Sequence, residues 1–402
     1  MHRPYTVSSP GVDDNRPART WLRPLLLVLA VVLVLVGAAD AGIGWYFSGQ
    51  ILQLDTAAYA VTVEEVTGNT VTLSRDDNSR RPIAWGLDWP GGHAILDNSA
   101  VVQGDHVRRN VLSVTSGALV KGLHVALDHD VYDGDPMAAA GMPFTPIDVP
   151  GPLGKMPAWL VPPSTSGPPD TARVPAKTTW VIAVHGRGGN REEALRILPE
   201  LAQSGLTSLV ITYRNDADAP SSPDRHYHLG ASEWQDVEAA VTYARSHGAT
   251  DVLLYGWSMG GAIVLSTLDR MPAADRAHVK AVVLDSPVVD WTSTLTLQAR
   301  HRSVPGPITW TAERITEHRA GLSFGDLDFN RPAFTKALRA PMLIFVDLAD
   351  STVPPAPTLR FAAARPDLIK ATTTVGGEHT GSWNVDQPRY ESDLDAFLKA
   401  NT

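Results

Sequence analysis

From Thr178 onward the chain alternates short aliphatic runs with amphipathic stretches, and this alternation narrows the possible folds more than any other feature. The runs Trp180 to His185, Ser208 to Tyr213, Asp251 to Gly256, Lys280 to Asp285 and Pro341 to Asp347 are mostly apolar. A strand with one wet face alternates polar and apolar residues, whereas a strand covered on both faces does not. The stretches between the runs carry helix punctuation. Asn190 with Glu193, and Ser232 with Gln235, have capping-box spacing, and Gly248 stands where a C-cap glycine would close the second helix. The pattern predicts an α/β fold: a mostly parallel sheet flanked by helices and joined by right-handed crossovers.

Composition removes several chemistries. The 402 residues include no cysteine, which excludes disulfides, thiol nucleophiles and Cys-ligated metal centres. A net charge of −9 is the wrong sign for a general basic surface, so no nucleic-acid partner is expected. The few lysines among 34 basic residues point to a GC-rich bacterial genome.

The N-terminus reads as a membrane element. Residues 24–47 are apolar apart from Asp40, long enough for a span of about 20 residues, with Trp45 and Tyr46 where an interfacial aromatic belt would lie. Arg3, Arg16, Arg19 and Arg23 precede the segment, and no Lys or Arg follows until Arg75. The positive-inside rule makes residues 1–23 a cytoplasmic tail, 24–47 a transmembrane signal anchor and the remainder extracytoplasmic. A rival expectation is a secreted protein, because Ala39-Asp40-Ala41 fits a signal-peptide cleavage pattern.

Residues 55–135 are expected to form a small β-barrel or β-sandwich. Val61, Val63, Val71 and Leu73 alternate with polar residues around Gly68-Asn69, a two-residue hairpin signal. His93, His106, His124 and His129 are scattered there without metal-ligand spacing and read as surface or core residues. A Pro- and Gly-rich stretch follows from Asp133 to about Pro175, holding two short strand-like runs, Phe144 to Val149 and Met156 to Val161.

The chemistry gathers where strands end. Asp251 to Tyr255 feeds Gly256-Trp257-Ser258-Met259-Gly260, and a helix follows from Ala262. This is G-x-S-x-G in strand–turn–helix context, which lifts a serine above the sheet at a helix N-terminus. A second match, Gly321-Leu322-Ser323-Phe324-Gly325, follows a helical stretch, so Gly321 reads as a C-cap and Ser323 as a loop residue. A nucleophilic serine needs a base, an orienting acid and oxyanion donors. Strand Met342 to Val346 ends in Asp347 and Asp350, which supply two candidate carboxylates. Thr372 to Val375 leads through Gly376-Gly377-Glu378 to His379. Upstream, His185-Gly186-Arg187-Gly188-Gly189 forms a bend that can aim the Arg187 amide at the same oxygen as the Met259 amide. Arg191, Glu192, Glu193 and Arg196 read as a solvated helix face, Arg214 with Asp236 as either a structural ion pair under the site or a pair that touches substrate, and the Arg187 side chain as solvated.

On these motifs the chain resembles the α/β-hydrolase superfamily from about residue 144 to 402. Within it, the chain is similar to exported bacterial serine hydrolases of the prolyl-oligopeptidase and dienelactone-hydrolase group. The resemblance implies Ser258 as nucleophile, His379 as base and Asp350, standing before Val353-Pro354, as acid, with oxyanion amides at Met259 and Arg187. It implies hydrolysis of carboxylic esters or related acyl bonds through an acyl-enzyme, without metal or organic cofactor. A helical insertion at about 287–332, with Trp291 and Trp310, lies where caps fold over such sites and points to a small-molecule or lipid-like acyl substrate. A peptidase or acyltransferase on the same residues, or an idle envelope scaffold, is the alternative.

Overall fold

The computed structural model describes residues 22–53, 59–164 and 178–402. Most of the expected cytoplasmic tail and the Pro-rich stretch 165–177 lie outside the described residues. Helix α1 spans Leu22–Leu52 and is long and apolar enough to cross a membrane. It runs five residues past the expected end at Phe47, because its last turns pack on protein: Ser48 and Leu52 are fully buried.

Seven strands follow: β1 Val61–Thr67, β2 Thr70–Ser74, β3 Trp85–Trp89, β4 Gly92–Leu96, β5 Val101–Gln103, β6 His106–Ser116 and β7 His124–Asp128. Their order is β2-β1-β7-β3-β4-β6, and β6 pairs back onto β2, so the sheet closes into an antiparallel barrel with β5 on its rim. Closure removes the exposed edges that an open small sheet would leave. The expected hairpin is present, with Thr67 opposite Thr70 and Gly68 at φ 60°. Inside, Val63, Leu73, Trp85, Leu87 and Leu96 form the core. Arg109 is buried beside them. Its guanidinium donates to the carbonyls of Ser79 (3.1 Å), Arg81 (3.0 Å), Ile83 (2.6 Å) and Asp97 (2.6 Å), pinning the β2–β3 loop.

The larger sheet comprises β8 Thr145–Gly151, β9 Gly154–Val161, β10 Thr179–Val184, β11 Thr207–Ile211, β12 Asp251–Trp257, β13 Val279–Asp285, β14 Met342–Asp347 and β15 Ile369–Thr374. Its order is β15-β14-β13-β12-β10-β11-β9-β8; the pairs from β11 to β15 are parallel, while β9 and β8 add antiparallel strands at one edge. Ile182, Val184, Leu209 and Leu254 face one core, and Val181, Ala183, Val210 and Leu253 face the other. Burial on both faces is why these strands read as unbroken apolar runs. Helices α2 Trp234–Ser246, α3 Ser258–Arg270 and α6 Pro355–Ala364 cover the first face; α7 Gln387–Asn401 and the turns of residues 191–203 cover the second. Helices α4 Trp291–His301 and α5 Gly306–Ala320 form the insertion, and α5 ends at Gly321 in the left-handed conformation.

Neither expected capping box forms as spaced. Asn190 does cap, accepting from the Glu192 amide, but Glu193 turns away to the Gly186 amide. Ser232 hydrogen-bonds His228, and α2 begins two residues later at Trp234.

Replacing Arg109 by Met removes this donor from the carbonyls of Ser79, Ile83 and Asp97 and leaves that of Arg81 with the Ile83 amide alone. The expected outcome is a loss of about 3 kcal/mol or more, read as a lower melting transition of the detergent-solubilised full-length protein.

Candidate active site

Strand order reverses between β10 and β12, and the crevice beyond the C-terminal ends of these strands is where ligands of open α/β sheets bind. Ser258 stands there at the head of α3, with φ 50°. A left-handed serine stores about 1–3 kcal/mol of strain and persists only where packing over-determines it. The motif glycines supply that packing. A Cβ on Gly260 would lie 2.1 Å from the Val184 oxygen, and one on Gly256 would lie 2.7 Å from the Gly260 carbonyl carbon.

His379 reaches Ser258 from the loop after β15. Its Nε2 lies 2.7 Å from Ser258 Oγ, and its Nδ1 lies 2.8 Å from Asp350 Oδ2. In this arrangement Nδ1–H donates to the carboxylate, which leaves Nε2 to accept the serine proton. The other Asp350 oxygen accepts from the amides of Thr352 and Val353, 2.8 Å each, so the carboxylate cannot rotate freely. Burial works against a charged His379 imidazole. Asp350, with Glu193 and Asp285 behind it, outweighs that effect and raises the pKa above the ordinary histidine value. Asp347 does not face His379. It accepts from the Ala349 and Gly377 amides and from Thr374 Oγ1, tying the β14 loop to the β15 loop. Asp285 is buried under Tyr390, and burial pushes its pKa to about 6.

The Met259 amide belongs to the first turn of α3, where N–H groups have no intrahelical acceptor. The loop carrying Arg187 closes on the same serine: a Cβ on Gly186 would lie 3.1 Å from Ser258 Cβ. The Arg187 side chain is not solvated as expected. Its Nη2 donates to the carbonyls of Gln50 and Gln53 at the end of α1. His185 packs behind this loop, between Asp216 Oδ2 at 2.8 Å and the Tyr213 ring. Arg214 pairs with Asp236 in a buried, two-pronged contact.

The charges at 191–196 depart most from expectation. Glu193 and Arg196 are buried, not solvated. Glu193 accepts from the Gly186 amide at 2.6 Å, and Arg196 donates to the Thr380 carbonyl and Asn384 Oδ1. They brace the two loops that flank Ser258.

The barrel supplies further braces on the His379 loop. Glu378 and Thr380, either side of the histidine, both hold positive φ. Arg81 donates to Glu378 Oε1 at 2.5 Å, and Glu378 Oε2 accepts from the Ser351 amide and hydroxyl. His129, expected to be filler, lies under the loop: its Nε2–H donates to the Gly377 carbonyl at 2.9 Å. Desolvation, with the nearby Arg196 charge, lowers its pKa to about 3 and keeps it neutral. Sequence reasoning missed Arg81, His129, Arg196 and Glu378. No local motif marks them, since their partners lie up to 297 positions away.

Ser258 and His379 line a cavity of about 420 Å³ whose other walls include Trp291, Leu295 and Val304 of the insertion and Tyr46, Phe47, Gln50 and Ile51 of α1. Trp310 does not enter it and is exposed.

A family model described as alpha/beta hydrolase fold matches residues 179–396, more than half of the sequence, and the chain belongs to that family. A second model, for a domain of unknown function designated DUF8805, matches the barrel at residues 62–128. No curated protein matches in sequence. Among solved structures, the esterase Pf2001 of Pyrococcus furiosus aligns at 15% identity and TM-score 0.50, covering 67% of this chain and 98% of its own. A puromycin-hydrolyzing peptidase of Mycobacterium tuberculosis aligns at 19% identity and TM-score 0.51, covering 84% of this chain but only 47% of its own. At such identities the likeness establishes the shared fold.

The two aspartates are separable by substitution. Asp350→Asn keeps the side-chain shape but reverses the favoured imidazole tautomer. It is expected to slow fluorophosphonate labelling of Ser258 by about 10⁴-fold with little change in melting temperature. Asp347→Asn sets an amide against hydrogen-bond donors, so it is expected to lower the melting temperature while labelling falls less than tenfold.

Proposed function

We propose that this protein is a membrane-anchored, extracytoplasmic serine hydrolase that cleaves carboxylic esters through an acyl-enzyme. The observation that carries the reading is the hydrogen-bonded line from Asp350 through His379 to a left-handed Ser258, set in the wall of an apolar cavity.

In this mechanism His379 Nε2 takes the proton of Ser258 as Oγ attacks the acyl carbon. Asp350 holds Nδ1–H and stabilises the imidazolium that forms. The amides of Met259 and Arg187 receive the oxyanion, each contributing about 3 kcal/mol. The imidazolium then protonates the leaving alkoxide, and water attacks the acyl-serine by the same relay in reverse. Anchoring is supported by the length and polarity of α1 and by the arginines that precede it. It is supported also by Asp40 lying inside a continuous helix, where it accepts from Thr311 Oγ1.

Purified full-length protein is expected to hydrolyse p-nitrophenyl esters, and Ser258→Ala to abolish both hydrolysis and fluorophosphonate labelling. Labelling that survives Ser258→Ala and disappears in Ser323→Ala would overturn the assignment. Product partitioning to an added sugar or amine in place of water would favour an acyltransferase. His379 must be neutral to accept the proton, and its pKa is raised. kcat/KM is therefore expected to rise with pH through a single limb centred above 6.5, the ordinary histidine value. A limb centred below 6.5 would show that Asp350 does not act on the imidazole as described.

A further inference from the structure

Helix α1 does two things at once. Its N-terminal part is bare: Leu25 to Leu35 have no protein cover, with Val34 69% exposed. Its C-terminal part is built into the hydrolase. Gly44 sits so close to α5 that a Cβ there would lie 2.9 Å from Thr311 Cγ2. Arg319 donates to the Trp45 carbonyl and Ser48 Oγ, and its guanidinium lies over the Trp45 ring at 4.3 Å. The Tyr227 amide donates to the Leu52 carbonyl, and Arg187, whose own amide is a proposed oxyanion donor, holds the carbonyls of Gln50 and Gln53. Between these attachments, Phe47 and Ile51 face the same cavity as Ser258 and His379.

Helical geometry sets the level of the cavity. Leu25 to Trp45 spans about 30 Å, the thickness of a bilayer's hydrocarbon core. Trp45 and Tyr46, both exposed, then fall at the water–lipid boundary, where amphipathic aromatics concentrate. Phe47 and Ile51 lie within two turns of that boundary. Helix α5 packs on the same stretch of α1, and its first turns carry Ile308 and Trp310 with no charge before Glu313. Trp310 is 62% exposed beside the helix that would cross the bilayer. Thr309, between them in sequence, lines the cavity. The cavity is thus bounded by two helices whose bare apolar surfaces continue towards the membrane.

We propose that α1 forms one wall of the acyl site, and that the substrate is a membrane-resident long-chain acyl ester that reaches Ser258 along the α1–α5 boundary from the leaflet on the catalytic side. The proposal rests on the hydrolase reading above and names its substrate class. An acyl chain leaving the bilayer by this route meets Phe47 and Ile51 of α1 and Leu295 and Val304 of the insertion, with Gln50, Gln298, Arg302 and Glu313 as the polar part of the same lining. The ester group meets Ser258 near the headgroup level. A water-soluble ester needs no such route.

The test uses the full-length chain reconstituted in phosphatidylcholine vesicles. Ile51→Trp narrows the cavity from the α1 side, and Gly44→Leu wedges α1 away from α5. For each, the ratio of kcat/KM for p-nitrophenyl decanoate to that for the acetate is expected to fall at least tenfold. Both rates come from one preparation, so an unfolded fraction cancels from the ratio. In a second arm, a fluorogenic long-chain acyl glycerol is placed either in the enzyme's own vesicles or in separate ones. Hydrolysis is expected to be at least tenfold faster in the shared membrane. An unchanged ratio in both variants, or equal rates on the two vesicle populations, overturns the proposal and leaves the hydrolase reading standing. Failure of the wild-type protein to turn over even the acetate would instead strike the hydrolase reading, and this proposal with it.

Discussion

The left-handed backbone of Ser258 is the constraint around which the rest of the site is organised. A serine does not hold φ 50° unless its neighbours leave no alternative. Here the turn is locked by contact: Gly260 lies against the end of β10, and Gly256 against Gly260. The contact of Gly260 with Val184 needs β12 hydrogen-bonded next to β10, with Gly256 level with Val184, while that of Gly256 with Gly260 is made within the turn itself. Sheet order therefore does more than bury apolar residues. It brings the loop after β10 to the serine, and the head of α3 follows directly from the same turn.

A second requirement falls on His379, which sits in a loop between two residues with positive φ. Loops of this kind open easily unless their backbone is tied down. The ties are distributed over three parts of the molecule. Asp347 holds the Gly377 amide, Arg196 holds the Thr380 carbonyl, and from the barrel Arg81 and His129 hold Glu378 and the Gly377 carbonyl. Buried Arg109 in turn fixes the loop that carries Arg81. The barrel contributes none of the three residues in the Ser–His–Asp line, yet it sets the position of the one that must swing least. In the proposed mechanism a displacement of the imidazole by about 1 Å would cost roughly 10²-fold in rate.

The end of α1 ties this long apolar helix to the same loops. Arg187 spans both: its amide faces the reaction centre in the proposed mechanism, and its guanidinium closes the last carbonyls of the apolar helix. Strain on the helix would be felt at the loop after β10. One side chain thereby couples the apolar helix with the loop beside Ser258.

The local patterns were legible in the sequence because they depend on near neighbours. Continuous apolar runs declared strands buried on both faces, Gly68-Asn69 declared a hairpin, Gly321 a helix end, and the strand–turn–helix context of Ser258 separated it from Ser323. Local pattern could not say that the small β region closes, since closure rests on β6 returning to β2. It left Asp347 and Asp350 both available, because either carboxylate suits a strand end; only the folded loops give Asp350 to the imidazole and Asp347 to the backbone. It misread Glu193 and Arg196 as solvated because a charged run at helical spacing usually is. Their partners, Gly186 and Thr380, lie 7 and 184 residues away and make burial favourable. The sequence by itself determined the elements and the chemistry each strand end could offer. The tertiary structure decided which of those offers meet, because hydrogen bonds between distant loops exist only once the sheet has set their separation.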